Sequence, residues 1–211
     1  MGSACGSKEK NQKSSEKAQL TKSPQVGYSS NSLARGLKIV LLGETEVGKS
    51  SLAQKYCQDK FFGEYLCTVG AAYFEQYICI DDEKVRFHIW DTGGSERFRS
   101  LAPMYYRDAV AAILVFDLTS EKSYEQMEYW LYEIRNKADP NVVVTLVGNK
   151  SDLAEEKRAV PFATAREFAK EEDLMYMETS AKMGTCVDEL FEYVGRRVLE
   201  TKRNIPDAQS T

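Results

Sequence analysis

Gly43-Glu-Thr-Glu-Val-Gly48-Lys49-Ser50 follows an apolar run and opens a helical pattern, the setting in which a glycine loop can wrap an anion. Glycines let the backbone curl until successive N–H groups and the helix N-terminus face one phosphate. In such a loop Glu44, Thr45, Glu46, Val47 and Gly48 line the phosphates, and Ser51 continues the cradle. Lys49 reaches the β- and γ-phosphates and Ser50 ligates Mg²⁺. Two further strings speak to the base. In Asn149-Lys150-Ser151-Asp152 the carboxylate of Asp152 can accept from N1 and N2 of guanine, a donor pair that adenine lacks. In Thr179-Ser180-Ala181-Lys182 a backbone N–H can meet guanine O6. Each string alone is a common polar turn; in this order, each after a strand, they point to GTP or GDP.

Other chemistries lack their parts. His88 is the only histidine, and Cys5, Cys57, Cys67, Cys79 and Cys186 show no CxxC spacing, so neither a zinc centre nor a His-dependent nucleophile can be assembled. The cysteines read as free thiols of a reducing compartment, Cys57, Cys67, Cys79 and Cys186 being ordinary small residues. With 28 basic and 32 acidic residues the net charge is −4, which argues against a protein that coats nucleic acid. The longest apolar run, Ala109 to Phe116, falls well short of the roughly 20 residues that cross a bilayer, and no apolar leader follows Met1. His88 alternates with Arg86 and Trp90, opposite Val85, Phe87 and Ile89, and reads as an ordinary strand residue rather than a pH sensor.

The loops need a frame. Apolar runs at 37–42, 111–116 and 142–147 alternate with helical patterns at 49–59, 124–138 and 162–171, which predicts a doubly wound α/β fold with a parallel sheet covered on both faces. Residues 73–80 and 84–90, split by Asp81-Asp82-Glu83, predict a hairpin that adds an antiparallel edge strand. A short strand is expected at 174–177, and Val187, Leu190, Phe191, Val194 and Val198 form the buried stripe of a closing helix. Residues 1–36 are polar, basic and without period, a flexible tail; 37–200 form the nucleotide domain and 201–211 a short second tail.

Together with Thr68-Val-Gly-Ala-Ala-Tyr73, Trp90-Asp-Thr-Gly-Gly-Ser-Glu-Arg-Phe98 and Leu101-Ala-Pro-Met-Tyr-Tyr106, these motifs resemble the Ras-like small GTPases, and among them the early-endosomal branch of the Rab family. The resemblance runs from about Leu37 to Leu199. It implies a six-stranded, mostly parallel sheet with five helices. It makes Thr68 a switch I Mg²⁺ ligand, Asp91 a switch II carboxylate holding Mg²⁺ through water, and Gly94 N–H a γ-phosphate contact. Phe61 would lie against guanine. Tyr73, Trp90 and Tyr105 would form the aromatic triad that effectors read. Effectors, an exchange factor and an activating protein are the implied partners, on the cytoplasmic face of endosomal or other vesicular membranes with a cytosolic pool, and a monomer is expected.

Departures qualify the resemblance. The family's water-orienting glutamine is Ser95, so catalysis resting on Lys49, Gly94 and the Ser95 position is expected to be slow. Glu46 stands where a small residue is usual. The chain ends Ile205-Pro-Asp-Ala-Gln-Ser-Thr211 without a prenylation cysteine; Gly2 instead offers an N-myristoylation site, imperfect because Gly6 replaces the preferred Ser or Thr, and Cys5 a palmitoylation site. Three readings remain open: a slow GTPase switch, a GTP-holding scaffold, and a phosphate-loop kinase of small molecules. The last fits worst, since the guanine motifs are present and no arginine-rich lid is.

Overall fold

The computed structural model describes residues 35–63, 67–95 and 102–204. Gly2 and Cys5 lie outside these residues, as do Arg97 and Arg99, the two arginines of the segment that follows Ser95.

Six strands form one sheet in the order β2-β3-β1-β4-β5-β6: β1 (Arg35–Leu42), β2 (Ala71–Ile80), β3 (Glu83–Thr92), β4 (Ala111–Asp117), β5 (Val143–Asn149) and β6 (Met175–Glu178). Only the β2–β3 pair is antiparallel. Apolar residues face both ways along β1 because both faces are covered. Leu37, Ile39 and Leu41 join Ile113, Val115 and Phe87 in the core under α1 (Lys49–Gln58) and the closing helix. Val40 and Leu42 join Leu114, Phe116 and Trp130 on the other side.

The hairpin turn is tighter than its sequence suggests. Asp81 and Asp82 take φ of 48° and 63°, the left-handed pair of a two-residue turn whose twist matches the strands, so Glu83 pairs with Ile80 instead of belonging to the loop. The helical pattern at 124–138 is divided at Gln126 into α3 (Glu121–Glu125) and α4 (Met127–Lys137), and Ser120 caps the former by accepting from Ser123 N–H at 3.3 Å. A short α2 (Ala102–Tyr106), a single turn α5 (Ala154–Lys157) after a 3₁₀ turn at Ser151–Leu153, and α6 (Phe162–Glu171) complete the layers before α7 (Val187–Asn204).

β1 begins two residues before 37 and α7 continues four residues past 200, because Leu199 is still buried and its turn needs residues beyond it. Gly195 shows how close this helix lies: a Cβ there would stand 2.4 Å from Ile80 Cδ1 and 2.7 Å from Phe87 Cζ.

Candidate nucleotide site

The loop between β1 and α1 is bent by its glycines. A Cβ on Gly43 (φ +146°) would meet the Val115 carbonyl oxygen at 2.1 Å, and one on Gly48 (φ +97°) would meet Asn149 Nδ2 at 2.2 Å. Helix α1 has no side-chain cap and no acid in its first turn, so its leading N–H groups are open to an anion. Lys49 donates to the carbonyls of Gly43 at 2.8 Å and Glu44 at 2.7 Å, which holds its ammonium over the loop. Burial pulls its pKa down to about 8, against the opposing pull of Asp91 and Glu44. Val47 places its side chain in the core and so contributes backbone, while Glu44 gives Lys49 its carbonyl as well as the charge of its carboxylate. Glu46 is exposed and held at φ 66°.

Next to Lys49 three oxygen-bearing side chains converge. Ser50 Oγ donates to Asp91 Oδ2 at 2.6 Å and lies 3.0 Å from Thr68 Oγ1. Asp91 is buried, which pushes its pKa up against the hydrogen bond from Ser50, and its Oδ1 has no hydrogen-bond partner. One carboxylate with an orphaned oxygen and two hydroxyls is a hard-donor set, and it fits a small divalent cation that takes its remaining ligands from phosphates and water. Gly94 brings the end of β3 onto the loop: a Cβ there would lie 2.3 Å from Glu44 C. Gly93 N–H donates to Gly70 O at 2.8 Å, tying the segments that follow β3 and precede β2.

Lys49, Ser50, Thr68 and Gly94 line a cleft of about 440 Å³ with Thr45, Phe61, Ser95 and Asp152, and the buried Asp91 reaches it through the bond from Ser50. Ser180 Oγ donates to Asp152 Oδ1 at 2.6 Å, and Lys182 Nζ stands 3.9 Å from the other oxygen. The two base-reading strings are also joined by backbone, through Thr179 N–H to Gly148 O at 2.9 Å and Ser151 N–H to Thr179 O at 3.0 Å. Asn149 spends three hydrogen bonds on protein: Nδ2 donates to Val47 O, while Oδ1 accepts from Thr179 Oγ1 and Ala181 N–H, both at 3.2 Å. It is a strut between loops, and one N–H of the string expected near guanine O6, that of Ala181, donates to it here.

One residue escaped the sequence reading. Asp117, at the end of β4, holds Lys150 Nζ at 2.7 Å, and its Oδ1 is fixed by Thr119 N–H at 2.8 Å and Thr119 Oγ1 at 2.7 Å. Asp-x-Thr after an apolar strand was the available signal, a side chain that bonds the backbone two residues on.

Outside the cleft the three expected aromatics stand in a row. Register places Tyr73 opposite Trp90, with ring centroids 5.6 Å apart and edge-on, and Tyr105 lies 6.0 Å beyond Trp90. Tyr73 is 48% exposed.

The Ras family pattern matches residues 38–200. The chain is also 46% identical over 169 residues to the Ras-related protein Rab-5A of Dictyostelium discoideum, covering 80% of this chain and 84% of that protein. The matched span contains every strand and loop that shapes the cleft apart from the first residues of β1, and the chain belongs to the Ras family as a Rab-type small GTPase.

Proposed function

We propose that the protein is a guanine-nucleotide switch of endosomal or other vesicular trafficking that binds GTP and GDP with Mg²⁺ and hydrolyses GTP slowly. The observation that carries this reading is the pairing, in one cleft, of Lys49, Ser50 and Thr68, backed by Asp91, with the Asp152 carboxylate oriented by Ser180. Mg²⁺ held by Ser50, Thr68 and Asp91 would neutralise charge on the β- and γ-phosphate oxygens. Lys49 binds the same oxygens, Gly94 N–H meets the γ-phosphate, and Asp152 reads guanine beside Phe61. Thr45, Glu46, Gly48, Ser51, Lys150, Ala181 and Lys182 complete the walls.

Ser95 supports the slow rate. Its hydroxyl sits on one methylene and cannot span the reach of the usual glutamine amide, so water is left unpositioned. A GTP-holding scaffold without useful turnover draws support from the same residue. Single-turnover hydrolysis of bound GTP, with and without a Rab-activating extract, separates the two: acceleration of the parent by the extract is expected for the switch and absent for the scaffold, while Ser95→Gln, about 10²-fold faster for a restored positioning group, tests the role given to position 95 under either.

The row Tyr73–Trp90–Tyr105, exposed at Tyr73 and half-buried at the other two, is the surface for effectors, with an exchange factor and an activating protein as further partners of a monomeric chain. GTP-dependent capture of partners should be lost in Trp90→Ala. Membrane attachment is assigned to acylation at Gly2 and Cys5, aided by Lys8, Lys10, Lys13, Lys17 and Lys22, because a single acyl chain holds weakly. Fractionation of tagged protein tests this, with Gly2→Ala expected in the cytosol; full membrane retention would exclude the assignment.

A further inference from the structure

The aromatic row shares its face with a closed circuit of polar side chains around the only histidine. Register sets Glu75 of β2 opposite His88 on one side and Lys38 of β1 opposite it on the other. Gly36 leaves space for the ring, since a Cβ there would lie 2.8 Å from His88 Nε2. Arg86 Nε, which can only donate, bonds His88 Nε2 at 3.2 Å. Nε2 is therefore the acceptor nitrogen, and the proton of the neutral ring is on Nδ1, which meets the Tyr73 hydroxyl. That hydroxyl donates in turn to Glu75 Oε2 at 3.1 Å, and Glu75 faces Arg86 Nη1 at 4.0 Å. Each donor in the circuit has one acceptor, and the circuit fixes the ring that stands edge-on to Trp90.

A proton on Nε2 defeats this order. The nitrogen can no longer accept from Arg86, and a second cation appears beside the guanidinium. The charged and titratable groups around the imidazole are Lys38 from β1, Tyr73, Glu75 and Tyr77 from β2, and Arg86 on its own strand. Lys38 adds a further positive charge, with Nζ 5.4 Å over the Trp90 ring. Glu75 is the one carboxylate placed opposite the imidazole, so an imidazolium with two donors competes with the Tyr73 hydroxyl for it.

We infer that His88 is a positioning residue for the exposed Tyr73 in the aromatic row, and that this surface presents Tyr73 correctly only while the imidazole is neutral. A partner that packs apolar side chains on the row then loses affinity once the imidazole takes a second proton. The consequence for partners rests on the proposed role of the row; the coupling between His88 and Tyr73 does not.

The full-length protein, loaded with GDP and separately with a non-hydrolysable GTP analogue, can be followed by NMR across histidine titration. A single imidazole signal reports His88, and only two indole N–H signals arise, from Trp90 and the buried Trp130. The Trp90 indole and Tyr73 ring signals should follow a one-proton curve with the midpoint of the His88 signal, while Trp130 stays still. The Trp90 movement should vanish in His88→Gln, which keeps an amide acceptor and donor but cannot titrate, and in Tyr73→Phe, which removes the hydroxyl. A Trp90 signal that ignores His88 titration overturns the inference and leaves the effector reading intact. A Trp90 signal that follows it, together with undiminished GTP-dependent capture by Trp90→Ala, keeps the coupling and removes the effector reading.

Discussion

Asn149 Nδ2 donates to the Val47 carbonyl at 2.9 Å, joining the base-reading end of the cleft to the phosphate loop across 102 positions of chain. The same side chain accepts from Thr179 Oγ1 and Ala181 N–H. One amide therefore holds three loops in mutual register.

Asn149→Ala leaves the Val47 carbonyl and two donors unpaired in a buried site, each worth about 1–3 kcal/mol when unsatisfied. Affinity for GDP and GTP should fall together, and thermal stability of the nucleotide-free protein should fall with them. Titration with a fluorescent GDP analogue beside a melting curve checks both. A loss confined to guanine over other purines would mean that Asn149 reads the base directly.

Asp152 is held by Ser180 at 2.6 Å, so base choice should need both residues. Asp152→Asn is expected to weaken guanine nucleotides and shift preference toward xanthine nucleotides, whose position 2 accepts instead of donating. Ser180→Ala should weaken guanine binding without the shift. Competition among GTP, XTP and ATP measures this, and equal affinity of the parent for ATP and GTP would remove the guanine assignment.

Lys49 titrates near 8 in the folded protein against an ordinary 10.5. Between these values the unfolded chain holds more protons than the folded one, so the cost of burying the cation fades, and stability rises, as pH increases through this window. Nucleotide affinity runs the other way, because phosphates need the ammonium. Dissociation constants for GDP should be level below about pH 8 and then weaken, by at most tenfold per pH unit for one proton. Level affinity up to pH 9.5 would show that Lys49 keeps its proton without phosphate.

Glu46 combines a carboxylate at the cleft with φ of 66°. A left-handed conformation costs a side chain about 1–2 kcal/mol that glycine avoids. Glu46→Gly should therefore raise thermal stability, while Glu46→Ala should not. Repulsion of phosphates depends on the charge alone, so GDP release should slow in both variants. Unchanged release in both would place the Glu46 carboxylate too far into solvent to matter.

The sequence shows what one stretch of chain can state by itself. The phosphate loop, the guanine strings and the double-faced strands Leu37–Leu42 and Ala111–Phe116 each carry their signal locally. What was missed depends on contacts between distant segments. Asn149 is a strut because Val47 arrives from another strand end, Asp117 matters because Lys150 follows the neighbouring strand, and the His88 circuit exists because register sets Glu75 across from it. The left-handed turn at Asp81-Asp82 was hidden because aspartate is less diagnostic there than glycine.

The close seat of α7 on Ile80 and Phe87, permitted by Gly195, makes the hairpin behave as a board bolted at one end. Arg196 adds a bolt through Asp81, and Arg203 another through Glu83 at 3.7 Å. The opposite end carries Gly70, Gly93 and the cleft, joined by one backbone hydrogen bond. Exchange of GDP for GTP should accordingly bend the board at its free end, with amide hydrogen exchange altered around residues 68–72 and 92–95 and unchanged at 80–87. Communication from the nucleotide then travels along β2 and β3 only as far as the aromatic row, and dies out before it reaches α7.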